Sequence, residues 1–153
     1  MRVALGADDS SPLVDVIADY LSSAGHHVTR FGKAAGSNAT AADEAWASTG
    51  RRVAEAVAAG DYERGVVCCW TGTGISIAAN KVAGVRAALC VDAETARGAR
   101  KWNDANVLAL SLRLTSAEVA KEILQAFLAE PYAGTEDESL RVLAALDEGR
   151  SGS

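Results

Sequence analysis

Residues 65–81 read GVVCCWTGTGISIAANK, and this stretch decides the fold. The apolar run Val66–Cys69 predicts a buried strand, the glycines after it predict a tight turn, and a helix is predicted over residues 74–82. Glycines let such a turn point several backbone N–H groups inward, and a helix N-terminus adds positive potential. Because this field favours a thiolate over a thiol, the stretch predicts a base or nucleophile, Cys69, beside an anion-binding turn.

Strand and helix patterns alternate along the rest of the chain. Five apolar strands joined by helical crossovers predict an α/β fold, a Rossmann-like three-layer α/β/α sandwich with a five-stranded parallel sheet. The ligand cleft of such a sheet lies at the carboxyl ends of its strands, where Asp8, Asp9, Cys69–Gly74 and Ser111–Arg113 fall. Strands are predicted over 2–7, 27–31, 66–69, 85–90 and 106–110, and helices over 12–24, 43–59, 74–82, 93–101, 115–129 and 136–148.

Length and composition narrow the class of protein. The 153 residues predict one domain over 1–149, followed by a disordered tail at 150–153. A net charge of −5 without a basic stripe argues against a nucleic-acid partner. No apolar run has membrane-spanning length, and no basic segment precedes an apolar one at the N-terminus, so a cytoplasmic protein without a membrane partner is expected. Three cysteines and adjacent His26 and His27 lack metal-ligand spacing, so neither a metal nor a cofactor is expected.

The motifs at the predicted strand ends match one known family. The chain resembles the ribose-5-phosphate isomerase B and galactose-6-phosphate isomerase family over nearly its whole length. The matching segments are Gly6-Ala7-Asp8, the block from Cys69 to Lys81, Gly84–Ala87, Asn103–Leu108 and Arg113. The block from Cys69 to Lys81 is long and specific, so the resemblance implies an aldose–ketose isomerase of a sugar phosphate.

The resemblance also implies roles for single residues. Cys69 matches the cysteine that moves a proton between C1 and C2 of an open-chain sugar phosphate, and Thr71 matches a threonine near the reacting oxygens. The amides of Gly72, Thr73 and Gly74, together with Asn103, match groups that hold the enediolate. The other substrate-binding positions are Asp8, Asp9, Trp102, Arg113 and Arg141, with both arginines implied in phosphate binding. The family commonly builds this site at a subunit interface, which implies a homodimer or homotetramer in which Arg141 acts across the interface.

Several positions depart from the family pattern. Trp102 and Asp9 stand where many members have histidine. In those members, the histidine that corresponds to Trp102 opens the furanose ring. Ala45-Trp46-Ala47 stands where members often have Asp-Tyr-Pro, and Trp70 replaces a residue that is commonly glycine. Glu136-Asp137-Glu138 stands near the last phosphate arginine, where members carry a second arginine or a histidine.

These departures leave the substrate open. A tetrose phosphate cannot close a furanose ring through its phosphorylated terminal oxygen, so it would need no histidine at position 102. The leading hypothesis is therefore an isomerase of a tetrose or pentose phosphate that acts through a cis-enediolate. The acidic residues at 136–138 instead favour a non-phosphorylated sugar. Together with the loss of the histidine at the position of Trp102, they also motivate a non-catalytic or regulatory sugar-binding homologue.

Several of these residues have a structural alternative to their functional role. Asp8 and Asp9 could cap the first helix, and residues 136–138 could form the favourable first turn of the last one. Cys68 and Cys90 are predicted to be core thiols, because Cys68 points to the opposite strand face from Cys69 and Cys90 lies in another apolar run.

Overall fold

The computed structural model describes residues 1–38 and 45–151 of the chain. Strands and helices alternate through these ranges as the sequence predicts, with a short 3-10 segment at Lys33–Asn38. The strands are β1 (Arg2–Ala7), β2 (His27–Gly32), β3 (Arg64–Cys69), β4 (Ala87–Leu89) and β5 (Val107–Ser111). The helices are α1 (Pro12–Ser23), α2 (Trp46–Ala58), α3 (Thr73–Asn80), α4 (Ala93–Asn103), α5 (Ala117–Ala129) and α6 (Asp137–Ser151).

The five strands form one parallel sheet in the order β2-β1-β3-β5-β4. The predicted Rossmann-like α/β fold is therefore confirmed. The register aligns Ala7 with Cys68 and Cys69 with Ser111, so β1, β3 and β5 end at nearly the same level. The carboxyl ends of three adjacent strands consequently share one edge of the sheet.

The strand β4 is shorter than the predicted 85–90. The N–H of Arg86 donates to the side-chain oxygen of Asn106 at 2.8 Å, and the N–H of Val85 donates to Val82 O at 3.2 Å in a turn. These two donors are therefore used outside the strand ladder, and the regular strand begins only at Ala87.

The sheet is covered on both faces, and β3 is buried on both sides. Cys68 packs with residues of α1 and α5, whereas Cys69 packs on the other face with residues of α2 and α3. This separation follows from the alternation of side chains along a strand. Cys68 and Cys90 are fully buried, which confirms that both are core residues.

A glycine brings α2 and α3 into close contact. A Cβ at Gly50 would lie 2.9 Å from Ile75 O and 3.0 Å from Ala78 Cβ, distances that leave no room for a side chain. The N-terminal half of α2 is therefore held against α3, the helix that follows β3.

At the amino ends of the strands, two asparagine side chains form hydrogen bonds with the backbone around the start of β4. Asn80 pairs with both backbone groups of Ala87 at 2.8 and 2.9 Å, and Asn106 binds Arg86 N and Gly84 O at 2.8 and 2.9 Å. Each amide side chain therefore replaces a backbone partner at the start of β4. Several residues of the family motifs thus have structural roles.

An ion-pair network fixes the end of α4 beside these amino ends. The carboxylate of Asp104 accepts from Arg86 at 3.2 Å and from Arg100, which is 4% exposed, at 2.9 Å. Asp104 has φ 46° and, among the described residues other than glycine, is alone in the left-handed region, which aspartate tolerates better than most side chains. The turn from Asn103 into β5 is consequently rigid.

Helix α6 makes few contacts with the rest of its own chain. Of its described side chains, Leu140 and Asp147 are half-buried and the others are exposed, including Val142, Leu143 and Leu146. Asp147 accepts from Gly84 N at 2.8 Å, and Arg150 donates to Asn80 O at 3.2 Å. The helix continues to Ser151, past the predicted boundary at 149, and the last two residues of the predicted tail lie outside the described residues.

Within the described ranges, no helix is long and apolar enough to span a membrane.

Candidate active site

Backbone hydrogen bonds bring three predicted site residues to one edge of the sheet. Asp8 N donates to Cys68 O at 3.4 Å, and Arg113 N donates to Trp70 O at 2.9 Å. Cys69 O accepts from Leu112 N at 3.0 Å. Asp8, Cys69 and Arg113 therefore lie side by side at the carboxyl ends of β1, β3 and β5.

The turn after Cys69 is fixed by β5 and requires a glycine. Ser111 Oγ donates to Trp70 O at 3.1 Å and accepts from Leu114 N at 3.1 Å. Gly72 has φ 76°, and a Cβ there would lie 2.6 Å from Leu89 Cδ1. A larger residue at position 72 would therefore be strained in its backbone and would clash with β4.

The N-terminus of α3 presents open backbone donors to this edge. Its first N–H groups, on Thr73, Gly74 and Ile75, have no carbonyl one turn earlier in the helix, and Gly72 has no side chain to cap them. The hydroxyl groups of Thr71 and Thr73 form a hydrogen bond, with their oxygens 2.7 Å apart. Open amides at a helix N-terminus can stabilise a negatively charged oxygen without reorganising.

The three cysteines occupy different environments. Burial raises the pKa of Cys68 to about 12 and that of Cys90 to about 11, so both remain thiols at neutral pH. Cys69 is 5% exposed, and only the turn of residues 70–72 separates it from the open amides of α3. The geometry therefore favours Cys69 over the other two thiols for chemistry.

Asp8 is a half-buried carboxyl without a partner for one of its oxygens. Its Oδ1 is buried and has no hydrogen bond, and burial, followed by the charge of Asp9, raises the pKa of this carboxyl. The capping alternative is wrong, because Ser11 caps α1 by accepting from Leu13 N at 3.3 Å. Asp9 lies exposed beside the cleft.

Three other predicted site residues lie far from Cys69 in the same chain. Helix α4 starts at the carboxyl-end edge and runs back for eleven residues, which is about 16 Å, to Trp102 and Asn103. The Asp104 carbonyl accepts from Arg86 Nε at 2.8 Å, which places this turn at the amino ends of the strands. Arg141 lies on α6, which is attached to the same end through Gly84 and Asn80.

The residues at this second edge border a cavity. A cavity of about 460 Å³ lies between α6 and the start of β4, with Asn103, Leu140 and Leu143 among its lining residues. The Trp102 indole packs back on its own helix, 2.8 Å from where a Cβ of Gly98 would be, and Lys101 Nζ lies 5.4 Å from its ring centre. Trp102 is therefore held in place by its own helix.

The acidic residues 136–138 form the start of α6, as their alternative interpretation predicts. Asp137 and Glu138 lie in its first turn. Asp137 accepts from the Tyr132 hydroxyl at 2.8 Å, and the same hydroxyl accepts from Glu136 N at 3.0 Å. These acids thus have a local structural role.

One of the departures from the family pattern lies at the site. Trp46 is 46% exposed and its indole lies against Gly74, at the start of α3. Its replacement of a tyrosine common in the family was the signal in the sequence, and the partner glycine was not foreseen.

Comparison with known proteins identifies the family. Residues 3–144 match the Ribose/Galactose Isomerase family. A D-erythrulose-4-phosphate isomerase from Pectobacterium atrosepticum is 40% identical over 136 residues, which cover 88% of this chain and 86% of that protein. The galactose-6-phosphate isomerase subunit LacB of Clostridium acetobutylicum is 36% identical over 149 residues, which cover 97% of this chain and 83% of that subunit.

Solved structures agree with the sequence comparison. The Clostridium thermocellum ribose-5-phosphate isomerase B superposes with a TM-score of 0.84 at 35% identity and covers 99% of each chain. The Trypanosoma brucei type B ribose 5-phosphate isomerase superposes with a TM-score of 0.83 at 37% identity, and the match covers 95% of this chain and 97% of the other. The resemblance noted in the sequence is confirmed, and the chain belongs to the Ribose/Galactose Isomerase family of sugar-phosphate isomerases.

Proposed function

We propose that this member of the family interconverts an aldose phosphate and a ketose phosphate, with the Cys69 thiolate as the base. The observation that carries the proposal is the position of Cys69 at the end of β3, where only the turn of residues 70–72 separates it from the open amides of α3. Isomerisation through an enediolate needs one base near the reacting carbons and donors for the negative oxygen. Both are supplied here by one strand–turn–helix unit.

The reaction then follows from these groups. Cys69 Sγ takes the proton from the carbon next to the carbonyl, the electrons of that C–H bond form the C=C bond, and the carbonyl oxygen becomes the enediolate oxygen. The amides of Gly72, Thr73 and Gly74 stabilise that charge. The Thr71 hydroxyl moves a proton between the two oxygens, and Cys69 returns its proton to the neighbouring carbon. The base is regenerated and no net oxidation occurs.

Asp8 adds a binding group for the sugar chain. Its buried Oδ1 lacks a hydrogen-bond partner in the described chain. A sugar hydroxyl would supply the missing donor and remove the penalty of a buried, unpaired oxygen. We assign Asp8, together with the exposed Asp9 beside it, to substrate binding.

A second copy of the chain completes the site. Trp102, Asn103 and Arg141 lie towards the amino ends of the strands, whereas Cys69 lies at the carboxyl end of β3, so we infer that they serve a Cys69 site by reaching a neighbouring copy. The exposed apolar residues Val142, Leu143 and Leu146 on α6 and Ile77 on α3 supply surface for such an association. In this homodimer or larger homo-oligomer, Arg113 of one copy and Arg141 of the other bind the phosphate, and Asn103 assists the enediolate.

The substrate that best fits is a tetrose phosphate, with D-erythrulose 4-phosphate as the ketose. Trp102 stands where the ring-opening histidine of the family would be, and an indole cannot exchange the required proton. A tetrose 4-phosphate needs no ring opening, since its terminal oxygen carries the phosphate. The D-erythrulose-4-phosphate isomerase that is 40% identical to this chain supports the same choice.

The non-catalytic alternative predicts a different result with the same substrate. The acidic residues that motivated it are engaged with Tyr132 and the first turn of α6, so they do not favour it. A binder would bind the sugar phosphate without exchanging its α-proton with solvent.

The first prediction concerns the base. Cys69→Ala should lower kcat for D-erythrulose 4-phosphate by at least about 100-fold, which is the contribution typical of a positioned base. Steady-state kinetics measure the effect. Cys68→Ala is the matched control, because it removes the adjacent thiol on the opposite face of β3, and it should keep kcat within about threefold. Wild-type activity in Cys69→Ala would refute the mechanism.

The second prediction concerns Asp8. A carboxyl whose pKa is raised on folding stabilises the fold fully below its unfolded pKa, and this contribution is lost as pH rises through the folded pKa. Asp8→Asn should therefore raise Tm at pH 7 and lose this advantage near pH 3, where Asp8 is protonated in both states. Its kcat/KM should fall. Calorimetry at both pH values tests this, with Asp19→Asn, an exposed carboxyl on α1, as the control. An unchanged or lower Tm of Asp8→Asn at pH 7 contradicts the prediction.

The third prediction concerns ring opening. Trp102→His should raise turnover of an aldopentose 5-phosphate, whose stable form is a furanose, by at least about tenfold, because imidazole can transfer the ring-opening proton. Trp102→Gln opens similar space without a titratable group and should give no such gain. Initial rates of all three proteins decide the question, and equal gains for histidine and glutamine would assign the effect to space alone.

A further inference from the structure

Trp46, the first residue of α2, forms one wall of the amide turn. Its ring atoms Cδ2, Cε3 and Cζ3 lie 3.1, 3.1 and 3.4 Å from the position that a Cβ of Gly74 would occupy. Gly74 is the second residue of α3, and its N–H is one of the open donors at that helix start. The indole therefore lies beside the point where the enediolate oxygen is held.

This wall is fixed by helix packing. Gly50 follows Trp46 by about one turn of α2, and its Cα side contacts Ile75 O and Ala78 Cβ so closely that a side chain there would clash. The two helix starts therefore hold one position relative to each other. Trp46 is also 46% exposed, so part of its ring faces outward next to the cleft.

The other end of the cleft is also set by backbone contacts. Arg113, the phosphate ligand of the same chain, has its N–H bound to Trp70 O at 2.9 Å, one residue after Cys69. This backbone hydrogen bond therefore limits the distance between the reacting carbons near Cys69 and Arg113. A sugar phosphate with one more carbon must either shift towards Trp46 or buckle.

We propose that Trp46 determines substrate chain length by closing the carbonyl end of the cleft, so that four-carbon sugar phosphates are preferred over five-carbon ones. This inference rests on the proposed function, because it assumes that the reacting carbons lie between Cys69 and the amides of Gly72–Gly74. Its physical basis is steric: the rigid indole fills the space into which a longer substrate would move. Discrimination by a single methylene-sized group is typically about 10- to 200-fold in kcat/KM.

The test uses two ketoses, D-erythrulose 4-phosphate and D-ribulose 5-phosphate. Each is an open-chain ketose: the phosphate blocks the oxygen that would close a furanose in D-ribulose 5-phosphate, and D-erythrulose 4-phosphate is too short to close one. Ring opening therefore does not enter, and the ratio of kcat/KM for the pentose to that for the tetrose reports chain length alone. Trp46→Ala should raise this ratio at least about tenfold over the wild type.

Two further variants make the result specific. Trp46→Phe keeps an aromatic wall of smaller size and should give an intermediate ratio, and it decides the question if Trp46→Ala does not fold. Tyr62→Leu removes an aromatic ring that packs edge-on against Phe31, outside the proposed cleft, and should leave the ratio within about twofold of the wild type. A tetrose-active enzyme whose ratio does not change in the folded Trp46 variants overturns the inference while leaving the proposed function intact. A wild-type protein inactive on both ketoses overturns the proposed function and the inference with it.

Discussion

The parallel direction of all five strands is the constraint on which the rest of this structure depends. Because every strand runs the same way, β1, β3 and β5 deliver Asp8, Cys69 and Arg113 to one edge of the sheet. For the same reason every crossover helix returns to the other edge, and α4 carries Trp102 and Asn103 there. The topology therefore divides the predicted catalytic residues into two sets within each chain.

The local chemistry at the first edge uses few side chains. One thiol, one hydroxyl and a set of backbone amides are enough for enediolate chemistry, and the amides are aimed by the helix rather than by rotamers. Two features make this arrangement possible. Gly72 adopts a left-handed backbone conformation, and α2 packs closely on α3 at Gly50. The same packing places Trp46 beside the turn. The proposed oxyanion donors and the proposed specificity residue therefore lie on neighbouring helix starts.

The sequence was sufficient to predict the fold and the strand–turn–helix unit that carries the proposed base. The alternation of apolar strands and helices predicted the sheet, and the segment from Val66 to Lys81 predicted the strand, turn and helix that the structure contains. Ser11, which caps α1, carries a local signal of the same kind, a serine directly before a proline. Features determined by a few neighbouring residues were accessible in this way.

The features that the sequence did not reveal depend on contacts between distant segments. The shortening of β4 results from Asn106, twenty residues after Arg86, and the orientation of Trp46 results from Gly74 in another helix. The structural roles of Asn80, Asn106 and Asp104 were likewise hidden within motifs that suggested function. Periodicity describes which face of an element is apolar, but it does not identify the residue on the facing element.

The central claim is that the catalytic residues act as two half-sites from different copies, and mixing two inactive variants tests it most directly. One chain carries Cys69→Ala, and the other carries Asn103→Ala together with Arg141→Ala. Each is inactive alone, whereas a mixed dimer has one site with an intact Cys69 and an intact Asn103 and Arg141. After co-expression in equal amounts, random pairing predicts recovery of about one quarter of wild-type kcat per chain. A mixture no more active than its separate components would contradict the account.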